Sequence, residues 1–150
     1  MTTLLVDTSV LVKWFHSEGE SELDEARAIR DATKQGEVQA RVIDLALYEM
    51  GNVLLRALAW NGSEVADQLE DLVVICGAPL AMASAWFRRA AAIGASHGLT
   101  FYDASWAAAA EALGVPLVSA DARLLDAGLA ESPRSVVLRL RLPLGSRAVG

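Results

Sequence analysis

The sequence predicts an α/β fold, an α/β/α sandwich in which helices cover both faces of a central parallel sheet. Short apolar runs of buried-strand type, TLLV, VQARVI and PLVSA, are bounded by polar or turn residues. Longer stretches with helical periodicity separate them, as connections between parallel strands require. The chain has 150 residues, 53% hydrophobic and 21% charged, which suits one compact domain that buries roughly 70% of its unfolded surface without disulfide or metal staples.

TLLV runs into Asp7 and is the first strand; SVLVKWFHSE behind it opens a helix or a turn. SELDEARAIRDATKQGE carries charges on a helical period and stops at Gly36. VQARVI is the second strand. From Asp44 to Trp60 the residues Leu47, Met50, Leu54 and Leu58 follow a 3.6-residue spacing, so an amphipathic helix is expected that ends at Asn61-Gly62. Ser63 and Glu64 open the helix SEVADQLEDLVVIC, and Pro79 separates it from the alanine-rich AMASAWFRRAAAIGASHG, closed by Gly98. Thr100 to Leu113 is the next helix, with Gly114 and Pro116 as its stop. PLVSA is a strand, Asp121 to Asp126 a short helix, and SVVLRLRL alternates like a final strand with one polar face. No linker or internal repeat divides the chain, so residues 1–150 are expected to form a single domain with 143–150 as a loose tail.

A net charge of -6 opposes generic electrostatic binding to nucleic acid, so any such activity must rest on a local site. The lone Cys76 excludes an intrachain disulfide and a thiolate metal cage, and fits a reducing, cytoplasmic address. The start of the chain has no basic region, Asp7 interrupts its apolar stretch, and Asp103 and Glu111 interrupt a later one. Neither export nor a membrane span is therefore expected. The mean hydropathy of +0.32 predicts apolar surface covered by another chain, an oligomer or a protein partner.

Ligands of open parallel sheets sit beyond the carboxyl ends of the strands, and Asp7 and Asp121 both follow predicted strands. Asp103 is the only charge of GLTFYDASWAAAA, and Glu49 the only one of LALYEMGNVLL. Asp7 and Asp121 also suit helix N-caps, and Thr100 with Asp103 a capping box, each worth roughly 1 kcal/mol. Capping does not account for Glu49, since a mid-helix carboxylate among leucines needs solvent, a partner or a metal. Acids gathered at one sheet edge repel one another unless a cation compensates. A set of oxygen donors without His or Cys suits hard ions such as Mg²⁺ or Mn²⁺, not zinc.

The blocks LLVDTSVLVKWF, LALYEMGNVLL and GLTFYDASWAAAAEALGVPLVSADARLL, in this order and spacing, resemble those of PIN-domain proteins, and more narrowly of the VapC toxin ribonucleases of bacterial toxin-antitoxin pairs. The resemblance covers nearly the whole chain. Carried over by position, it implies catalytic, metal-binding roles for Asp7, Glu49, Asp103 and Asp121. Thr8 or Ser9 takes the hydroxyl position after the first acid, and Ser119 stands where the family usually has Thr. It further implies one or two Mg²⁺ or Mn²⁺ ions and hydrolysis of phosphodiester bonds in structured RNA of the tRNA or rRNA class, leaving 5′-phosphate and 3′-hydroxyl ends. The partners it implies are a VapB-type antitoxin with a basic tail and a second copy of the chain in a homodimer.

Around these acids, Asn52 lies at i+3 from Glu49 and is placed to hydrogen-bond a carboxylate. Arg56, Arg123 and Lys13 are the cations nearest in sequence for substrate phosphate, although each also suits an ordinary surface position. His16 and His97 are expected outside the site, as exposed or capping residues. Trp14, Phe15, Trp60, Trp86 and Phe87 are expected to pack in the core rather than stack bases or form a dimer surface. Arg88 and Arg89 suit either an RNA groove or a solvated helix face. Two other function classes compete with the enzyme: a catalytically silent PIN-like module whose acidic pocket receives a basic partner segment, and a scaffold whose aspartates only cap helices. Retention of all the family's acids disfavours the first, and Glu49 the second. A haloacid-dehalogenase-like phosphatase wants Asp-x-Asp after the first strand, where this chain has Asp7-Thr8-Ser9.

Overall fold

The computed structural model describes residues 1–17 and 21–145. Strand β1 (Thr2–Val6) is the middle of a three-stranded sheet of order β2-β1-β3, with β2 (Val38–Arg41) and β3 (Leu117–Val118) both parallel to it. Leu4, Leu5 and Val6 are fully buried, as a strand covered on both faces requires. Register pairs Thr2 with Val38 and Leu5 with Leu117. Isolated parallel bridges, Ile43 to Leu80 and Val118 to Glu131, extend the sheet.

Helices flank this sheet. Helix α1 (Thr8–Phe15) leaves β1 directly, so the segment that sequence left as helix or turn is helix, and α2 (Leu23–Lys34) packs on it. The polar stripe of α2 faces out while Ala26, Ala28, Ile29 and Ala32 are buried. Helix α4 (Gly62–Cys76) starts under a complete capping box, in which Asn61 Oδ1 accepts from the Glu64 amide and Glu64 reaches back to the Asn61 amide. Helix α5 (Ser84–His97) and α6 (Phe101–Leu113) pack against each other. A Cβ added at Gly94 would meet the Ala104 Cβ at 3.4 Å, and residues 104–110 of α6 are all buried. Alanine makes such an approach possible because it adds almost no bulk. Helix α7 (Ala122–Asp126) follows β3 closely.

Two expected elements differ. The helix expected from Asp44 to Trp60 is α3 (Leu45–Asn52) followed by a π-helical turn, Val53–Ala57, in which the Leu58 amide reaches back to the Val53 carbonyl. Met50 and Leu54 are buried as the apolar spacing requires. SVVLRLRL is not a strand: Ser135 to Leu140 lie in α8 (Pro133–Leu140), which packs on α2, and Arg141 is its left-handed C-cap. Ser132 caps it by accepting from the Ser135 amide, and Pro133 occupies the first turn. The alternation that imitates a strand does not mark one face: Leu138 is 72% exposed, Leu140 packs against the core and Leu142 is buried, whereas Pro133, Val136 and Val137 form the buried helical stripe. Of the expected loose tail, Pro143, Leu144 and Gly145 line a cavity with Ala28 and Asp31 of α2, while residues 146–150 lie outside the described residues. No described helix is long and apolar enough to cross a membrane.

Candidate active site

The sheet order places β1 between β2 and β3, and a crevice opens beyond its carboxyl end. A cavity of about 220 Å³ lies there. Asp7 enters it from the end of β1, Glu49 from the middle of α3, Asp103 from the first turn of α6, and Asp121 from the turn between β3 and α7. Thr8, Ser9, Val12, Val53 and Trp106 complete the lining, so no Lys or Arg is among the lining residues.

A local network holds the acids. Ser9 Oγ donates to Asp7 Oδ1 at 2.5 Å and accepts the Ala120 amide at 2.9 Å, tying the end of β1 to the turn after β3. Ser119 Oγ lies 3.4 Å from Ser9 Oγ and accepts the Asp121 amide at 3.0 Å. Glu49 Oε1 receives the Thr8 hydroxyl at 2.9 Å and the Trp106 indole N–H at 3.1 Å.

The aspartates differ in how they use the capping positions they occupy. Asp7 stands at the N-cap position of α1 yet closes no side-chain cap hydrogen bond. Burial pushes its carboxyl up to about 6, opposed by the Ser119 and Ser9 hydroxyls and the nearby Val10 amide and reinforced by the charge of Asp103. Asp103 is raised as well, by burial first and then by the charge of Asp121; the Thr100 side chain and Arg123 oppose this. Thr100 accepts the Asp103 amide at 3.1 Å, but the Asp103 carboxylate is not engaged in a reciprocal capping box. Asp121 does cap α7, accepting the Arg123 amide at 2.8 Å through Oδ1.

This donor set fits a hard divalent cation. Four carboxylates line one cavity, burial and mutual repulsion work against their charges, and no basic side chain in the lining compensates. Among the described residues no three acidic, histidine or cysteine side chains stand close enough to enclose an ion as they are arranged. The acids occupy the walls of the cavity, and Glu49 is drawn toward Thr8 and Trp106.

Of the residues singled out in the sequence, Asp7, Thr8, Ser9, Glu49, Asp103 and Asp121 come together here, with Ser119 joined through Ser9. Asn52 and Arg56 are exposed and outside the lining. Lys13 is buried and donates to the Ser21 carbonyl at 2.7 Å, also outside it. Arg123 is exposed on α7, and its charge reaches Asp103. Arg89 pairs with Glu111 on the surface, at 2.7 and 3.2 Å. His97 lines a separate cavity with Arg89 and Glu111, and His16 is the C-cap of α1. Trp14 is buried and donates to the Ala26 carbonyl, whereas Phe87 is 45% exposed and stacks on Phe101, against the expectation that it packs in the core. Sequence reasoning passed over Trp106. The signal was its place three residues after Asp103, on the same face of α6.

The family model for the PIN domain matches residues 4–129. The fold is similar to the crystal structure of PAE2754 from Pyrobaculum aerophilum, with 26% identity, a TM-score of 0.69, and 93% of this chain and 90% of that one covered. FitAcB from Neisseria gonorrhoeae is 18% identical with a TM-score of 0.63, over 87% of this chain and 98% of the other. VapBC2 from Rickettsia felis, solved bound to a DNA fragment from its promoter, is 10% identical with a TM-score of 0.63, over 87% and 97%. No curated protein matches the chain.

Proposed function

The chain belongs to the PIN-domain family, and from that membership we propose that it is a metal-dependent endoribonuclease, the toxin of a toxin-antitoxin pair. PIN domains are generally metal-dependent nucleases. The observation that carries the reading is the gathering of Asp7, Glu49, Asp103 and Asp121 in one cavity at the carboxyl end of the sheet with no basic lining residue. Asp7, Glu49, Asp103 and Asp121 would hold a divalent ion there, Mg²⁺ or Mn²⁺, which when bound would supply positive charge to lower the pKa of water and to offset the charge developing on a phosphodiester.

The residues then divide the work by position. Asp7 and Asp103, the carboxylates raised by burial, are the firmest ligands for one or two ions. Glu49, with one oxygen held by two donors, ligates or orients water. Asp121 is a ligand or an anchor, since one of its oxygens already caps α7. Ser9 and Ser119 keep Asp7 in register with the turn that carries Asp121. Arg123, exposed beside Asp103, contacts the phosphate of the cleaved strand.

The substrate is a structured RNA of the tRNA or rRNA class. The partner is a VapB-type antitoxin whose basic tail enters the acidic cavity, and the toxin is a homodimer. The similarity to FitAcB and VapBC2 supports the toxin-antitoxin context. A second reading is a silent module whose acidic pocket only receives a basic segment, because a cavity lined by four carboxylates and no cation suits a basic chain as well as a metal ion.

The test is to incubate the purified chain with total cellular RNA in Mg²⁺ or Mn²⁺, with and without chelator, beside the Asp103→Asn variant. Discrete, chelator-sensitive fragments that the variant does not produce support the enzyme. Intact RNA, together with tight binding of a basic peptide, supports the silent module instead.

A further inference from the structure

The two oxygens of Glu49 are treated differently, and the donors that hold one of them are side chains of two other elements. Oε1 receives both the Thr8 hydroxyl at 2.9 Å and the Trp106 indole N–H at 3.1 Å, and Oε2 accepts no hydrogen bond from a described residue. The two donors come from different elements, α1 and α6, and both are buried: Thr8 is 9% exposed and Trp106 1%. An indole N–H has no acceptor capacity, and among the described residues Oε1 is its only hydrogen-bond partner in this buried position. Breaking that bond to free Oε1 would strand a buried donor.

We propose that Trp106, with Thr8, is a positioning residue that makes Glu49 a one-oxygen donor and thereby sets which cation the cavity accepts. The inference rests on the metal-dependent reading above. A carboxylate held by one oxygen offers the other alone to an ion. Mg²⁺ and Mn²⁺ suit single-oxygen carboxylate ligands in a small, well-defined shell, whereas Ca²⁺ takes more ligands and readily uses both oxygens of one carboxylate. Locking Oε1 therefore favours the smaller ions and penalises Ca²⁺. Trp106 touches neither ion nor substrate in this scheme and acts through Glu49 only.

The experiment measures binding of Mn²⁺ and of Ca²⁺ by calorimetry to the full chain and to Trp106→Phe, each with Glu49 intact and with Glu49→Ala. Phe keeps most of the ring volume and removes the N–H. With Glu49 intact, Trp106→Phe is expected to shrink the preference for Mn²⁺ over Ca²⁺ by roughly tenfold, the scale of lost outer-sphere support. In the Glu49→Ala background the same change is expected to leave the preference where it was, because the residue it acts through is gone. Thr8→Val removes the other donor with little change of volume and is expected to shift the preference the same way; it serves as the independent variant if Trp106→Phe does not fold. Thr8→Ser, which keeps the hydroxyl, should restore it. An unchanged preference in the folded donor variants, or an equal shift without Glu49, overturns the role of Trp106 while leaving the metal site standing. Absence of Mn²⁺ binding to the parent protein overturns both.

Discussion

Asp7 and Asp103 line the same cavity, and the charge of Asp103 raises the proton affinity of Asp7, whose carboxyl burial has already pushed up to about 6. Asp103 is raised in turn by burial and by Asp121. Repulsion thus runs along the acids from Asp7 to Asp121, and a cation is the ligand that relieves it.

A proton and a metal ion therefore compete for Asp7. Mn²⁺ affinity is expected to climb as pH rises from about 5 through about 6, the value of the Asp7 carboxyl, and to level off near neutrality. Calorimetry in buffers of different ionisation enthalpy reads both the affinity and the proton released. An affinity independent of pH across this range would contradict the assignment of Asp7 as a ligand.

The same shift has a consequence for the ion-free fold. The folded carboxyl titrates at about 6, above its ordinary 3.8, so its stabilising contribution is fully present below about 3.8 and is lost as pH rises through about 6. Asp7→Asn removes a buried charge at neutral pH and is expected to stabilise the ion-free protein there by on the order of 2 kcal/mol. The gain should fade toward pH 4 and be accompanied by loss of cleavage. Urea unfolding at the two pH values checks the sign, and a variant less stable than the parent at neutral pH would contradict it.

Ser9→Ala deletes the hydroxyl that donates to Asp7 and accepts the Ala120 amide. Destabilisation of about 1–3 kcal/mol is expected, because a partly buried amide loses its acceptor. A change within about 0.5 kcal/mol by chemical denaturation would mean that water replaces the serine without cost.

Arg123→Ala removes the exposed cation whose field reaches Asp103. RNA is expected to bind more weakly, with KM raised several-fold, on the order of what one exposed phosphate contact contributes, and kcat changed little. Arg123→Lys should recover part of the loss. Equal KM for all three proteins would place the phosphate contact elsewhere.

Much of this arrangement was legible in the sequence. Apolar runs ending at Asp7 and just before Asp121 fix where strands stop, and strand ends are where ligands of parallel sheets bind. Glu49 was legible because nothing local explains a charge among leucines. The error at SVVLRLRL has a physical origin. Leu138, Leu140 and Leu142 alternate with arginines in sequence but go to different environments, the first exposed, the second against the core and the third buried, while the cap at Ser132 and the buried Val136 and Val137 determine the helix. The π-helical turn after Asn52 was equally invisible, because one extra residue in a helical turn leaves the apolar spacing almost intact. Lys13 lies near Asp7 in sequence but faces Ser21, since a residue six places along a helix need not share the first turn's direction. The role of Trp106 depends on a contact with Glu49, 57 residues away in sequence, which spacing alone does not reveal.

Whether the four carboxylates of this cavity hold the divalent ion of a nuclease is read by soaking crystals of the full chain in Mn²⁺ and locating the ion by its anomalous scattering. The predicted result is a peak inside the cavity, bound by Asp7 and Asp103 and lost in Asp103→Asn crystals. A cavity without a peak at saturating Mn²⁺, or an ion bound only elsewhere on the protein, would contradict it.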